Sequence, residues 1–286
     1  MTERSLANTR VAPDFIVIGA MRAGTTSIYE WLRSTGRVSL PDMKETDFFL
    51  TEENWSKGND WLKARYSDLS LPMGDISPNY TKRDVWPTVS QRIHQTNPNA
   101  KLIFIVRDPV ARAVSQYQMM SGMGLVPSNV ENFLKLDDGP HITDTSKYAW
   151  QLEPYLEYWS IEDIHIVDFG ELKSDPFKTV NDMLTFIGVE PLVEGFDVTK
   201  ANASDSVNAL PGWWGAFRAS KFGTSLRARA PRKLINRAKQ LVSNSSKTVT
   251  LNPISPEVKS ELAELLRQDV EKFRQMTGRD FSNWSV

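Results

Sequence analysis

The stretch Asp14-Phe-Ile-Val-Ile-Gly19-Ala-Met-Arg22-Ala-Gly24-Thr-Thr-Ser27-Ile-Tyr-Glu-Trp-Leu-Arg-Ser-Thr-Gly36 decides the fold. Its apolar run, Phe15 to Ile18, stops at Gly19. Small residues then lead through Gly24 into Thr25, Thr26 and Ser27, and Ile28, Trp31 and Leu32 fall on one helix face. The order is strand, loop, helix. Glycine lets backbone approach a ligand closely, and the first N–H groups of the helix lie at the positive end of its dipole, facing the same point. Such a junction suits an anion, and Arg22 is the loop's only cation. A strand-to-helix turn with no ligand is the plainer alternative. The Gly19-to-Gly24 spacing matches the first half of a nucleoside-triphosphate loop, but Thr25 stands where that motif needs Lys.

Working outward, 286 residues with 40% hydrophobic content suffice for one core without staples, so one domain is expected over residues 1–286, with 1–12 a loose arm. Cysteine is absent, which excludes disulfides, thiolate zinc sites and cysteine nucleophiles. No apolar stretch reaches the ~20 residues of a membrane span, and Met1-Thr-Glu-Arg4 lacks the core of a signal peptide; a cytoplasmic protein is expected. Net charge is −1, from 34 basic and 35 acidic residues, and no nucleic-acid partner is expected. The charge is uneven. Gly212 to Lys247 holds nine basic residues and no acidic one, interleaved with aromatics from Trp213 onward. This stretch, with its cations at 218–239, reads as a solvated basic helix, or as a contact for a cofactor phosphate, an anionic acceptor or an acidic membrane surface.

Further along, Val38-Ser-Leu-Pro41 reads as a short extended piece, and Lys44-Glu45-Thr46-Asp47-Phe48-Phe49 follows. On spacing alone, that segment is as well explained by a solvated charge pair beside two core phenylalanines as by a site. Residues 54–70 suggest a short helix and an irregular connection. Gly74-Asp-Ile-Ser-Pro-Asn-Tyr80 is rich in turn residues, with Pro78 fixing the backbone. A helix is expected over Val85 to Gln95, and Lys101 to Val106 reads as a strand buried on both faces of a parallel sheet. Arg107-Asp108-Pro109 ends that strand and opens the next helix. Gly122 to Ile142 reads as a cleft loop with a short helix near 130–136. Ser146 is expected to cap a helix carrying Tyr148, Leu152, Tyr155, Leu156 and Trp159. Ile164 to Asp168 is another strand, and Asp175-Pro176 starts a helix with Phe177, Val180, Leu184 and Ile187 inward and Gly188 closing it. Ser255-Pro256-Glu257 opens a last helix, with Val258, Leu262, Leu265, Leu266, Val270 and Phe273 on its buried face and Gly278 at its end. The alternation implies an α/β fold, a central parallel sheet flanked by helices.

The loop, cation-x-Gly-Thr-Thr after a strand, resembles the 5′-phosphosulfate loop of sulfotransferases that use 3′-phosphoadenosine-5′-phosphosulfate (PAPS), a family in which Lys usually stands where this chain has Arg22. Arg107-Asp-Pro-x-x-Arg112-x-x-Ser115-x-Tyr117 resembles the family's 3′-phosphate motif. In the heparan sulfate type, a Lys/Asn-Glu-x-x-Phe-Phe segment carries the catalytic base, and Glu45 is the match. The Gly74–Tyr80 stretch is similar to the family's Glu-Lys-Ser/Thr-Pro-x-Tyr element, with Asp75 for the Glu and Ile76 for the Lys. With the C-terminal tail, the resemblance runs from about residue 13 to residue 284. It implies a P-loop-like fold and metal-free, in-line sulfuryl transfer from PAPS, leaving adenosine 3′,5′-bisphosphate (PAP), to a small-molecule or glycan acceptor. Carbohydrate hydroxyls lead, with amines and other alcohols behind. It assigns Arg22, Ala23, Gly24, Thr25, Thr26 and Ser27 to the 5′-phosphosulfate, Arg107 and Ser115 to the 3′-phosphate, and Glu45 with Arg22 to catalysis. Lys44, Tyr117 and His141 are candidate acceptor contacts. His141 is also the second candidate base, because the cytosolic branch of the family uses a histidine. Arg112, the weaker motif member, reads as a surface cation paired with an acid.

Two rivals remain open on sequence. A small-molecule kinase or NTPase would use Asp108 as a magnesium ligand, although it lacks the Lys after Gly24. A non-enzymatic protein would bind an anionic glycan or membrane through its basic stretch. His94, His141 and His165 lack ligand spacing, so no metal is expected.

Overall fold

In a computed structural model, the structure describes residues 12–123, 125–126, 134, 139–195 and 254–286. The basic stretch, the short helix expected near 130–136 apart from residue 134, and most of the expected N-terminal arm lie outside the described residues. Four strands, β1 (Phe15–Gly19), β2 (Gly74–Ile76), β3 (Lys101–Val106) and β4 (Ile164–Asp168), form one parallel sheet in the order β2-β1-β3-β4. All five residues of β1 and the last five of β3 are buried, as unbroken apolar runs in a sheet covered on both faces require. This is the α/β arrangement expected from the sequence.

The helices are α1 (Thr25–Ser34), α2 (Glu52–Trp55), α3 (Gly58–Lys63), α4 (Val89–Thr96), α5 (Pro109–Gly122), α6 (Gly139–Asp144), α7 (Tyr148–Leu156), α8 (Phe169–Ser174), α9 (Pro176–Ile187) and α10 (Pro256–Thr277). They pack in two groups: α9 against α1, β3 and β4, and α10 against α5 and α7, with α7 on α4. Local chemistry sets their ends. Asp108, Asp175 and Ser255 accept from the N–H groups of Ala111, Lys178 and Val258, each ahead of a first-turn proline, and Gly188 and Gly278 end α9 and α10 in the left-handed conformation.

Several sequence expectations give way here. Gly74–Ile76 is an edge strand, its register fixed by Phe15 opposite Gly74 and Val17 opposite Ile76. The helix expected from Val85 starts only at Val89, because Pro87 disfavours helical backbone before it; Val85 and Trp86 instead donate to the Lys82 carbonyl in a separate turn. Ser146 does not cap α7. Its hydroxyl donates to the Pro109 carbonyl and accepts from Arg112 Nε. On α10, Leu262, Leu266, Val270 and Phe273 are buried, but Leu265 is 55% exposed. At 3.6 residues per turn it sits about a quarter turn from the middle of that stripe.

The C-terminal tail closes over the ends of β3 and β4. Phe273 stacks on Phe281 at 5.4 Å and lies 5.6 Å from Tyr148. Trp284 Nε1 donates to Asp168 Oδ2 at 2.8 Å, and the Ser285 N–H donates to Asp108 Oδ2.

Candidate active site at the carboxyl edge of the sheet

The loop between β1 and α1 is shaped by two glycines. A Cβ on Gly19 would lie 2.0 Å from Thr81 Oγ1, so the end of β1 and the turn after β2 touch. Gly24 has φ +97°, and a Cβ there would meet the Phe169 ring at 2.9 Å. Gly24 is the N-cap of α1 and gives it no side-chain cap, and the first turn holds no acid. The leading N–H groups, those of Thr25, Thr26 and Ser27, are the ones for which a helix start offers no carbonyl one full turn earlier.

Arg22 carries a left-handed backbone, φ +69°, which costs a non-glycine residue about 1–2 kcal/mol. Its Nε donates to Ser115 Oγ on α5 at 3.0 Å, and its carbonyl accepts from Arg107 Nη1 at 3.3 Å. Arg107 is held in turn. Its N–H donates to Tyr148 Oη at 3.2 Å, Tyr148 Oη donates to its carbonyl at 2.7 Å, and its guanidinium lies 4.9 Å from the centre of the Phe169 ring. The two junctions read separately in the sequence thus meet in space.

Arg112 corrects its surface reading. It is fully buried, at 0% exposed, and its partners among the described residues are all neutral: Ser146 Oγ, Gln116 Oε1 at 2.6 Å, the Ile142 carbonyl and the Met21 carbonyl at 3.4 Å. Burial first, and then the like charges of Arg107 and Arg22, push its pKa down to about 10. Three guanidinium groups converge behind an uncapped helix start, an arrangement complementary to more than one anionic oxygen. Asp108, the magnesium ligand of the kinase reading, has both carboxylate oxygens on backbone N–H groups, those of Ala111 and Ser285.

The segment with Glu45 is fastened to the same edge. Thr46 Oγ1 donates to Asp75 Oδ2 at 2.9 Å, Tyr80 Oη donates to the same oxygen at 2.6 Å, and Ser77 Oγ donates to Asp75 Oδ1 at 3.4 Å. Ser77 also accepts from the Asp47 N–H, and its own N–H donates to the Val17 carbonyl of β1. The chain from Glu45 to Asp47 is thereby tied to β2 and β1 at the end where the phosphate loop begins. Glu45 is half-buried and pairs with Lys44 at 2.6 Å. Burial of Asp75 pushes its carboxyl up to about 6 against the three hydroxyl donors, and burial likewise raises Asp47.

The other expected residues are less central. Ala23 is buried under the loop, and Tyr117 is buried on α5 within the core cluster. His141 is half-buried on α6, its carbonyl accepting from Thr145 Oγ1 at 2.8 Å. Sequence reasoning missed Asp75 as an anchor and Lys82 altogether, since neither belongs to a periodic or capping pattern.

A family model described as the sulfotransferase domain matches residues 12–208. The chain belongs to the sulfotransferase family. Among its relatives, the bifunctional heparan sulfate N-deacetylase/N-sulfotransferase of Drosophila melanogaster is 28% identical over 213 residues, 64% of this chain and 20% of that protein. Heparan sulfate glucosamine 3-O-sulfotransferase 5 of Mus musculus is 30% identical over 199 residues, 65% of this chain and 56% of that protein. This sulfotransferase thus spans between a fifth and just over half the length of those two relatives. Heparan sulfate glucosamine 3-O-sulfotransferase 6 of Homo sapiens is 27% identical over 285 residues, covering 94% of this chain and 73% of that one. The fold matches the crystal structure of a sulfotransferase from Alicyclobacillus acidocaldarius with a TM-score of 0.69 at 20% identity, over 96% of this chain and all of that one.

Proposed function

We propose that this sulfotransferase moves a sulfuryl group from PAPS to a hydroxyl or amine of a carbohydrate acceptor. The observation that carries the reading is the meeting of Arg22, Ser115 and Arg107 at the uncapped start of α1, which suits a ligand with separate 5′- and 3′-phosphates. Arg22 and the N–H groups of Thr25, Thr26 and Ser27 would hold the 5′-phosphosulfate, and Arg107 and Ser115 the 3′-phosphate. The heparan sulfate activities in the relatives' names favour a carbohydrate acceptor.

Bound PAPS supplies the sulfuryl group and a phosphate leaving group. The acceptor atom forms a bond to sulfur while the bond from sulfur to the 5′-phosphate oxygen breaks, and the electron pair stays on that oxygen. Glu45 takes the acceptor's proton. Arg22 and the helix N–H groups neutralise the charge gathering on the phosphate, the kind of fixed electrostatic help that contributes most when aimed in advance. No divalent metal is assigned a role.

The test is PAP in metal-free buffer. At roughly 100 times its dissociation constant it should stabilise the fold by about 2.7 kcal/mol, read as a rise in melting temperature. An unchanged melt at saturating PAP rejects the reading. A panel of glycans and small alcohols with labelled PAPS then identifies the acceptor.

A further inference from the structure

The turn after β2 brings to this edge a cation that none of the motifs contains. Lys82 follows Thr81, whose N–H donates to the Ile18 carbonyl at 3.1 Å and whose side chain packs on Gly19, at the entrance of the phosphate loop. The Lys82 carbonyl accepts from Val85 and Trp86, which fixes the backbone from which its side chain departs. Lys82 is only 9% exposed. Among the described residues, no carboxylate forms an ion pair with its Nζ and no acceptor takes a hydrogen bond from it. The charges that reach it come from both halves of the site: Arg112 from the arginine cluster, and Glu45, Asp47 and Asp84 from the base segment and its own turn. An ammonium largely enclosed by protein without a fixed counter-ion is costly, and burial, reinforced by Arg112, pushes it down to about 8. An anionic ligand arriving between Glu45 and the arginines would supply the missing partner.

We propose that Lys82 is a further catalytic residue, whose ammonium donates to the oxygens of the sulfuryl group as it passes from the phosphate to the acceptor. The inference rests on the sulfotransfer reading above. Lys82 exchanges no proton in the step; it stays charged and opposes the negative charge on the oxygens in flight.

The experiment uses the full chain and the variants Lys82→Met, which keeps the stem without the charge, and Lys82→Arg. Failure of the wild type to bind PAP would remove the parent reading, a result separate from those that follow. Where the wild type binds PAP, Lys82→Met should retain PAP affinity within about two-fold, because PAP has no sulfuryl group, while turnover falls by at least ~10²-fold and Lys82→Arg recovers part of it. Near-normal turnover in Lys82→Met overturns the proposal, as does a loss of PAP affinity equal to the loss of turnover. Should Lys82→Met not fold, the wild type alone decides. With Arg112, Glu45, Asp47 and Asp84 facing the ammonium of the free enzyme, kcat/KM for PAPS should decline above pH 8 with PAP affinity steady, and a kcat/KM flat to pH ~9.5 overturns the proposal.

Discussion

Arg22 and Ser115 share a hydrogen bond across 93 residues of chain, Nε donating to Oγ at 3.0 Å. It ties the loop after β1 to the middle of α5, so the residues assigned to the two phosphates set each other's positions. Ser115→Ala removes one charge-assisted hydrogen bond, and PAP affinity should fall by roughly five- to ten-fold, with little change in the unliganded melt. Titration calorimetry measures the first and a thermal melt the second. A melt that drops sharply would mark Ser115 as structural.

Arg22 itself should separate binding from chemistry. Its charge is assigned to the leaving phosphate, where it matters more as the sulfur–oxygen bond breaks than beforehand. Arg22→Ala should therefore lower kcat well beyond the loss in PAP affinity, and Arg22→Lys should recover part of the rate with a compact charge in place of the planar fork. Equal losses in rate and affinity for Arg22→Ala would show that the side chain holds only the ground state.

Buried Asp75 gives the base segment a pH signature. Its carboxyl is raised to about 6 in the fold, above the ordinary carboxylate range, because burial outweighs the donors from Tyr80, Thr46 and Ser77. The native state therefore binds the proton more tightly than the unfolded chain. The linked stability is fully present below pH ~4 and is lost as pH rises through about 6. Its size is on the order of 2–3 kcal/mol at most. Asp269, also raised to about 6, adds a slope of the same sign. Asp75→Asn should flatten the melting-temperature profile between pH 4 and pH 7 relative to the wild type, leaving the share due to Asp269. Identical slopes in the two proteins would place the titration elsewhere.

The phosphate loop was legible because its signals are local: an apolar run, two glycines and a helix start lie within a dozen residues of one another. The strand at Lys101–Val106 and the helix starts at Asp108-Pro109, Asp175-Pro176 and Ser255-Pro256 were legible for the same reason. The strand at Gly74–Ile76 was not, since three residues carry no alternation and the turn residues beside them dominate the pattern. Arg112 and Lys82 escaped because burial of a cation is decided by distant elements. Arg112 is enclosed by Ser146, Ile142 and Met21, none of which sits near it in sequence, and the Lys82 surroundings come from the Glu45 segment and α5. Glu45 became a candidate through resemblance alone; its attachment to β2 through Thr46 and Asp75 is tertiary information.

Arg112 should be the most destabilising of these positions to change. Replacing it by Met leaves the Gln116 amide oxygen and the Ile142 carbonyl short of partners in a buried site, at about 1–3 kcal/mol for each group left unsatisfied, while the Ser146 hydroxyl keeps its bond to the Pro109 carbonyl. Arg112→Lys should rescue little, because one ammonium cannot span acceptors arranged for a planar fork. Denaturant unfolding of the variants measures the loss. A midpoint shift near zero for Arg112→Met would mean that the buried charge costs as much as its bonds return.

Glu45 is where base chemistry and loop anchoring can be told apart. The carboxylate accepts from Lys44 at 2.6 Å, and the neighbouring Thr46 and Asp47 carry the bonds that hold the segment in place. Glu45→Gln keeps the shape and an acceptor for Lys44 but removes basicity. Turnover should fall by at least ~10²-fold, with PAP binding and the melting temperature close to the wild type. Thr46→Val disturbs the anchor and leaves the base, so it should lower both stability and rate by smaller amounts. His141→Ala is the control on the other candidate base. With an acceptor in hand, near-normal turnover in Glu45→Gln together with an inactive His141→Ala would transfer the proton-accepting role to the histidine on α6. The reverse pattern keeps it on Glu45, and rate and PAP affinity measured on the same preparations distinguish the two.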